Sequence, residues 1–245
     1  MKEKILVWLS GWVDSAVSAY LLKKQWYDVT AWFMINYLAP DWEYCETKKD
    51  IKVAKEVAKF LDIPFFTFDY RDEYENKVLK YMYEWYKKWI TPNPDIMCNS
   101  EIKFKIFLEE ALELWFTKIA TGHYARIFKS SWKKIIYHLL KWVDKTKDQS
   151  YFLAWLDQSQ LSKSLFPIWD LEKKEVRKIA NEINLPNANR KDSQWICFVW
   201  KVNLMEFLEK RIKHKEWNII NTSWEIVWKH NWVFYYTIWQ RKWLN

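Results

Sequence analysis

An apolar run near the N-terminus, Lys4-Ile5-Leu6-Val7-Trp8-Leu9, stops at Ser10-Gly11-Trp12-Val13-Asp14-Ser15 and gives way to Ala16-Val17-Ser18-Ala19-Tyr20-Leu21-Leu22. The first run reads as a buried strand and the last as a helix, so a tight, hydroxyl-rich turn joins the two. Such a junction opens a βαβ unit, and βαβ units build parallel sheets. The junction is also suited to an anion. The first N–H groups of the helix lack backbone partners and sit at the positive end of its dipole. Ser10 and Ser15 add hydroxyl donors, and Asp14 is placed to hold a magnesium ion beside phosphates. An ordinary strand–turn–helix corner would use the same residues.

The alternation continues. A second strand is predicted from Tyr27 to Met34, a polar loop from Asn36 to Glu46 and a helix from Thr47 to Leu61. In that helix Ile51, Ala54, Val57, Ala58 and Leu61 recur at helical spacing. Pro64 opens a strand from Phe65 to Phe68, and a helix is expected from Tyr74 to Lys88. A further helix spans Glu101 to Leu114, and a fourth strand, Lys118 to Thr121, ends in Thr121-Gly122-His123-Tyr124. This order predicts a doubly wound parallel sheet, with ligands at the carboxyl ends of its strands. Gly122 lets a ligand approach the backbone, and His123 offers a ring beside it, although a structural hydrogen bond is the commoner role for such a histidine. Beyond Ile135–Lys141, a predicted strand, Leu165-Phe166-Pro167 ends a helical region, and Lys173 to Ile183 forms an amphipathic helix. The character changes near residue 200. A helix from Asn203 to Arg211 and short strands at Glu225–Val227 and Val233–Thr237 suggest a small β-rich domain over 201–245, after a catalytic domain over 1–200.

Tryptophan and glycine are out of balance: the chain has 20 Trp and 2 Gly among 245 residues. An average chain of this length carries about 17 glycines. Many tryptophans stand where turns favour glycine, such as Trp26 after Lys23-Lys24-Gln25 and Trp132 in Ser130-Ser131-Trp132-Lys133. A gene whose UGA codons mean glycine, read with a table in which UGA means tryptophan, gives this pattern. Scattered indoles in turns would otherwise expose apolar area that packs against nothing.

The net charge of +8 favours a polyanionic partner, with nucleic acid the first candidate. No apolar run approaches the roughly 18 residues of a membrane span. The N-terminal Met1-Lys2-Glu3-Lys4 shows no signal-peptide pattern, so a soluble, cytoplasmic protein is expected. Cys45, Cys98 and Cys197 are too few and too far apart for a disulfide scaffold or a zinc site. Cys98 follows Thr91-Pro92-Asn93-Pro94-Asp95-Ile96-Met97, whose prolines exclude regular structure. Standing just before the Glu101 helix, it is placed for the field that lowers a thiol's pKa. A buried filler is the commoner fate of a lone cysteine. The rigid loop favours the reactive reading.

The first turn resembles the pyrophosphate loop, S-G-G-x-D-S, of enzymes that split ATP into AMP and pyrophosphate. Trp12 stands at its second glycine, and no Walker A ending is present. Taken with Thr91–Asn99 and Glu101-Ile102-Lys103-Phe104, Ala120–Tyr124, Lys147–Leu153, Asp192–Phe198 and Trp239-Gln240-Arg241-Lys242-Trp243, the chain resembles the bacterial-type tRNA-specific 2-thiouridylases. Trp12, Trp89, Trp169, Trp195, Trp200, Trp228, Trp239 and Trp243 fall where that family pattern has glycine. The family continues into a C-terminal β-barrel that this sequence lacks, which reads as a truncated product.

The resemblance implies an adenine-nucleotide α-hydrolase-like fold and ATP-dependent sulfur transfer to carbon 2 of the wobble uridine of tRNA. It implies ATP with magnesium as the cofactor, no resident metal, and a persulfide delivered by a sulfur-carrier or cysteine desulfurase protein to a monomer. By motif, Cys197 carries the persulfide, Cys98 is the second catalytic thiol and pairs with it in a disulfide, and Asp95 is an acid or base. Trp8, Leu9, Ser10, Gly11, Trp12, Val13, Asp14 and Ser15, with Met34 and Gly122, form the ATP site. Asn93, Pro94 and Asp95 border the target base, and His123, Lys147, Asp148 and Gln149 contact tRNA. Cys45 matches no motif and is expected to be structural. Two other readings remain. One is another AMP-forming pyrophosphate-loop ligase acting on a small molecule. The other is an inactive tRNA-binding relic.

Overall fold

A computed structural model of the chain describes residues 2–38, 46–88, 90–144, 147–191, 208–209, 211–212 and 216–230. The first predicted unit is present as β1 (Lys4–Trp8), α1 (Val13–Lys24) and β2 (Asp28–Ile35). Helix α2 (Glu46–Phe60) leads to β3 (Phe65–Asp69). After a helical region come β4 (Lys118–Ala120) and, further on, β7 (Ser164–Leu165). These five strands form one sheet in the order β3-β2-β1-β4-β7, and every pairing is parallel. The doubly wound expectation is met. β1 lies at the centre, with Val7 opposite Ala31 on one side and Ala120 on the other.

The pleat sorts β1 between two cores. Ile5 and Val7 face α1, α2 and α8 (Lys173–Glu182), where they join Val17, Val57, Ala58 and Val176. Leu6 faces the other way, toward Met82, Ile102, Phe104 and Phe107. All of these side chains are buried. Each such residue contributes about 1.5–3 kcal/mol relative to leaving it in water. Core on both faces is why these strands read as unbroken apolar runs.

The helices of the second layer depart from the prediction. The expected Tyr74–Lys88 helix is α3 (Arg71–Tyr74), a π-helical stretch over Glu75–Leu79, and α4 (Lys80–Lys87). The expected Glu101–Leu114 helix begins earlier, as α5 (Pro94–Met97), passes through a π-helical stretch over Cys98–Ile106, and ends as α6 (Phe107–Glu113). The Phe107 N–H donates to the Ile102 carbonyl five residues back, the π-helical spacing. Leu165 does not end a helix. With Ser164 it forms the edge strand after α7 (Gln158–Ser162). The strand predicted over 135–141 is β6 (Ile136–Leu140), which pairs antiparallel with β5 (Arg126–Ser130) outside the main sheet. β8 (Trp217–Ile220) and β9 (Ile226–His230) form another antiparallel pair. The expected boundary at 200/201 and the strand over 233–237 lie outside the described residues, as does most of the helix over 203–211.

Four helices end in the same way. Residues Trp26, Asp62, Trp115 and Asn184 take φ of 67°, 50°, 65° and 55°. In the first, the Trp26 N–H donates to Lys23 and the Tyr27 N–H to Leu22; at Trp115 the bonds run to Leu112 and, from Phe116, to Ala111. This is the left-handed helix stop that glycine normally occupies. Trp26 and Trp115 are 75% and 85% exposed, and Trp132, in the β5–β6 turn, is 92% exposed.

Candidate active site

The strand order reverses around β1. β2 and β3 lie to one side of it, and β4 and β7 to the other. A crevice forms at such a reversal, outside the carboxyl ends of the strands. The turn after β1 and the turn after β4 both open there. One pocket is lined by Trp8, Ser10, Trp12, Val13, Asp14, Ser15, Met34 and Gly122 together with His123 and Gln149. Of the expected ATP-site residues, Leu9 is fully buried in the core beneath the turn.

The turn is tightly determined. Ser15 Oγ accepts from the Ser10 N–H (3.2 Å), lies 3.1 Å from Ser10 Oγ, and donates to the Trp12 carbonyl (3.0 Å). Gly11 has φ of +82°, and a Cβ there would sit 2.8 Å from the Asp50 carbonyl oxygen. Trp12 caps α1 with φ −90° and ψ 158°, a conformation open to any residue. Glycine is therefore required by the backbone at position 11 and not at 12. The indole of Trp12 lines the pocket and lies under the Arg190 guanidinium, 3.7 Å away. Gly122 serves the turn as much as a ligand, because a Cβ on it would meet the Ser15 N at 2.7 Å and the Asp14 carbonyl carbon at 2.8 Å.

Asp14, the residue expected to hold magnesium, is engaged within the protein through one of its carboxylate oxygens. Its Oδ1 accepts from the Tyr124 hydroxyl and from Lys173 Nζ, each at 2.5 Å. Among the described residues no cluster of three or more His, Cys, Asp or Glu could hold a metal ion. Asp14 instead ties the start of α1 to α8. The segment after α8 reinforces the tie. Asn187 Nδ2 (2.9 Å) and Arg190 Nη1 (3.1 Å) donate to the Gly11 carbonyl, and Arg190 pairs with Asp50, both largely buried. These anchors were missed in the sequence because no local pattern links position 11 to position 190.

The histidine after β4 is inside the protein. His123 is 8% exposed, its Nδ1 lies 2.7 Å from the Thr121 hydroxyl, and its ring packs against Phe104 and Phe166. Burial, and then the Lys103 charge, hold its pKa well below 6.5, so the ring is neutral near pH 7. A partner of His123 must enter the pocket to reach it. Lys103 lines the same pocket, 5% exposed, with Nζ 4.0 Å from the Trp8 ring centroid.

Cys98 is 1% exposed at the junction of α5 and the π-helical stretch. The expectation that it precedes a helix N-terminus is corrected: that terminus is at Asn93, whose Oδ1 accepts from the N–H groups of Asp95 and Ile96, both at 3.2 Å. Pro94 suits the first helical position because its missing N–H would have had no partner. Neither Cys98 nor Asn93, Pro94 and Asp95 line the pocket; they precede Lys103 on the same continuous helix. Asn99 Nδ2 donates to the Phe152 carbonyl (3.2 Å), tying this helix to the turn after Gln149.

The expected tRNA-contacting residues divide by burial. Lys147 is exposed. Asp148 accepts from the N–H groups of Trp142 and Ser150 (both 3.1 Å) and from the Ser150 hydroxyl (3.0 Å). Burial raises its pKa, but those hydrogen bonds outweigh it and leave the carboxyl below its usual value. Gln149 Oε1 accepts from the Tyr124 N–H (3.1 Å) and its own N–H donates to the Tyr124 carbonyl (2.9 Å). Asp148 and Gln149 thus hold the turn in shape. Cys45 and Cys197 lie outside the described residues.

Residues 3–201 match the family described as tRNA methyl transferase HUP domain. The chain belongs to that family. Its relatives include the tRNA-specific 2-thiouridylase MnmA of Nitrosomonas europaea, 46% identical over 98% of this chain and 66% of the relative. The protein of the same name from Alkaliphilus oremlandii is 43% identical over 98% of this chain and 65% of the relative. The chain therefore spans about two thirds of the length of the curated relatives it matches. Among solved structures, a 4-thiouridine synthetase in complex with RNA and bound ATP aligns with TM-score 0.53 at 16% identity, covering 85% of this chain and 50% of that one. The U34-tRNA thiolase NcsA of Methanococcus maripaludis aligns with TM-score 0.51 at 18% identity, over 86% and 67%. At these identities the likeness establishes the fold of the family member.

Proposed function

We propose that this chain carries the ATP-dependent step and both thiols of a tRNA-uridine 2-sulfurtransferase. The observation that supports the reading best is the juxtaposition at the sheet's reversal point. The pyrophosphate-type turn and Lys103 line one pocket, and Cys98 precedes Lys103 on the same continuous helix. Relatives named tRNA-specific 2-thiouridylase, at 43–49% identity, support the same reading.

The chemistry requires two activations. The C2 carbonyl oxygen of uridine is a poor leaving group, so that oxygen first bonds to the α-phosphorus of ATP and pyrophosphate leaves. A Cys197 persulfide then attacks C2, and AMP departs with the C–O electron pair. Cys98 as thiolate attacks the sulfur of Cys197, releasing 2-thiouridine and leaving a Cys98–Cys197 disulfide. An external thiol reductant returns both cysteines with two electrons. The turn from Ser10 to Ser15 offers the α1 N–H groups to the phosphates, and Asp95, two residues into its helix, is the acid or base beside the base. Magnesium would arrive with the nucleotide and neutralise phosphate charge there. The target base must leave the anticodon stack to reach a thiol this buried. Net charge of +8 suits a tRNA partner, and Lys147 is exposed. A sulfur-carrier or desulfurase protein supplies the persulfide. No helix of the described residues is long and apolar enough to cross a membrane. A tRNA substrate would place the protein, read as a monomer, in the cytoplasm.

The test is incubation of the chain with ATP, unmodified tRNA and a persulfide source, followed by nucleoside analysis. AMP and 2-thiouridine should form in equal amounts. Cys98→Ser and Cys197→Ser should each abolish 2-thiouridine. Full activity in Cys98→Ser would instead favour an AMP-forming ligase. The relic reading draws on one observation, the Trp12 indole in the pocket wall. It predicts salt-sensitive tRNA binding with no AMP release, and Trp12→Gly should then restore nucleotide binding.

A further inference from the structure

Arg177, Lys191 and Lys103 line the pocket, Arg190 and Lys173 contact residues of its wall, and these cations are not equivalent. Arg190 pairs with Asp50 and donates to the Gly11 carbonyl. Arg177 Nη1 donates to the carbonyls of Ala188 (3.0 Å) and Arg190 (2.5 Å). Lys173 is bound to Asp14. Each of these holds protein to protein. Lys191 is exposed at the rim.

Lys103 differs in position. It is 5% exposed, yet its ammonium lies over the Trp8 ring at the end of β1, in the wall shared with Ser10, Ser15 and Gly122. It comes from the helical stretch that begins at Cys98, and its charge is felt by the His123 ring. A charge shielded from water acts more strongly on a neighbouring phosphate than one at the rim.

We infer that Lys103 is a catalytic residue that binds the α-phosphate of the nucleotide and stabilises the charge on AMP as it leaves. The inference rests on the nucleotide reading of the pocket. When the uridine oxygen bonds to the α-phosphorus and pyrophosphate departs, the α-phosphate keeps its negative charge. When sulfur attacks C2, that phosphate gains another as the C–O bond breaks. An ammonium held between the turn and the thiol helix meets the phosphate in both steps.

The test compares AMP with adenosine binding to the full 245-residue chain by calorimetry, since the two ligands differ only at the α-phosphate. Wild type should favour AMP, and Lys103→Met should reduce that preference by about 10- to 100-fold, the loss expected for one charge-assisted hydrogen bond. Adenosine affinity should stay unchanged. Lys103→Arg, which keeps the charge, should retain most of the preference and guards against a variant that fails to fold. With ATP and tRNA, Lys103→Met should lower kcat far more than it raises the KM for tRNA. If Lys103→Met is folded and still prefers AMP as wild type does, the assignment to Lys103 is wrong and the nucleotide reading stands. If wild type binds neither AMP nor ATP, the nucleotide reading fails and the assignment falls with it.

Discussion

Single side chains in the left-handed region make the strongest demand on this sequence. Aspartate and asparagine, as at Asp62 and Asn184, are the non-glycine residues that best accept that backbone, whereas the indoles of Trp26 and Trp115 are poorly suited to it. Trp26→Gly and Trp115→Gly should each raise stability by about 1 kcal/mol, read as a higher urea midpoint with an unchanged slope. Trp32→Gly should do the opposite. Its ring is 1% exposed and stacks on Phe68 with centroids 3.4 Å apart, and its loss should cost about 3 kcal/mol or more. The same contrast sharpens the decoding argument: UGA is expected at positions 26, 115, 132 and 224, and UGG at the buried Trp32 and Trp142, a pattern that peptide masses from the native organism would also reveal. His123 gives a pH signature. Its folded pKa lies well below 6.5, so below that pH the unfolded chain binds the extra proton and the folded one does not. Its contribution is complete above pH 6.5 and is lost as pH falls, by at most about 1.4 kcal/mol per pH unit. Thermal midpoints from pH 7 to 5 should fall less steeply in His123→Gln.

Elements were legible where a period was long enough to see. Helices α2 and α8 show a clean apolar stripe, and both appear within a residue or two of the expected ends. The edge strand Ser164–Leu165 has two residues, too few for any alternation, and the sequence reading passed over it. The π-helical stretches were hidden for a related reason: their side-chain spacing differs from 3.6 only over a turn or two, so Ile102 and Ile106, four residues apart, still look like one α-helical face. The turn after β1 was readable in its serines and Gly11, but not in what holds it, since Asn187 and Arg190 come from far along the chain. Asp148 and Gln149 were singled out only by the resemblance, and only the fold shows their side chains bonded to backbone N–H groups. At this scale Asn93→Ala should destabilise by about 1 kcal/mol through the lost helix cap, seen as a lower unfolding midpoint. Gly122→Ala should cost about 1–3 kcal/mol, because its methyl group forces the Ser15 backbone aside. Calorimetry should also show weaker ATP binding in Gly122→Ala.

Across the whole molecule, parallel pairing governs how the pocket comes into being. β1 is the first strand, yet its neighbour on one side, β4, begins at Lys118, and the anchors of the Gly11 turn lie at Asn187 and Arg190. Contacts so far apart along the chain form slowly, because a long loop must close before they are rewarded. On a ribosome adding about 5–20 residues per second, the nucleotide turn emerges within seconds and then waits for roughly another 10–40 s until its anchors follow. During synthesis, therefore, a nascent chain carrying every residue of the pyrophosphate-type turn has no finished pocket. Under the proposed function, nucleotide capture would act as a timer, reporting when the last anchor has left the exit tunnel.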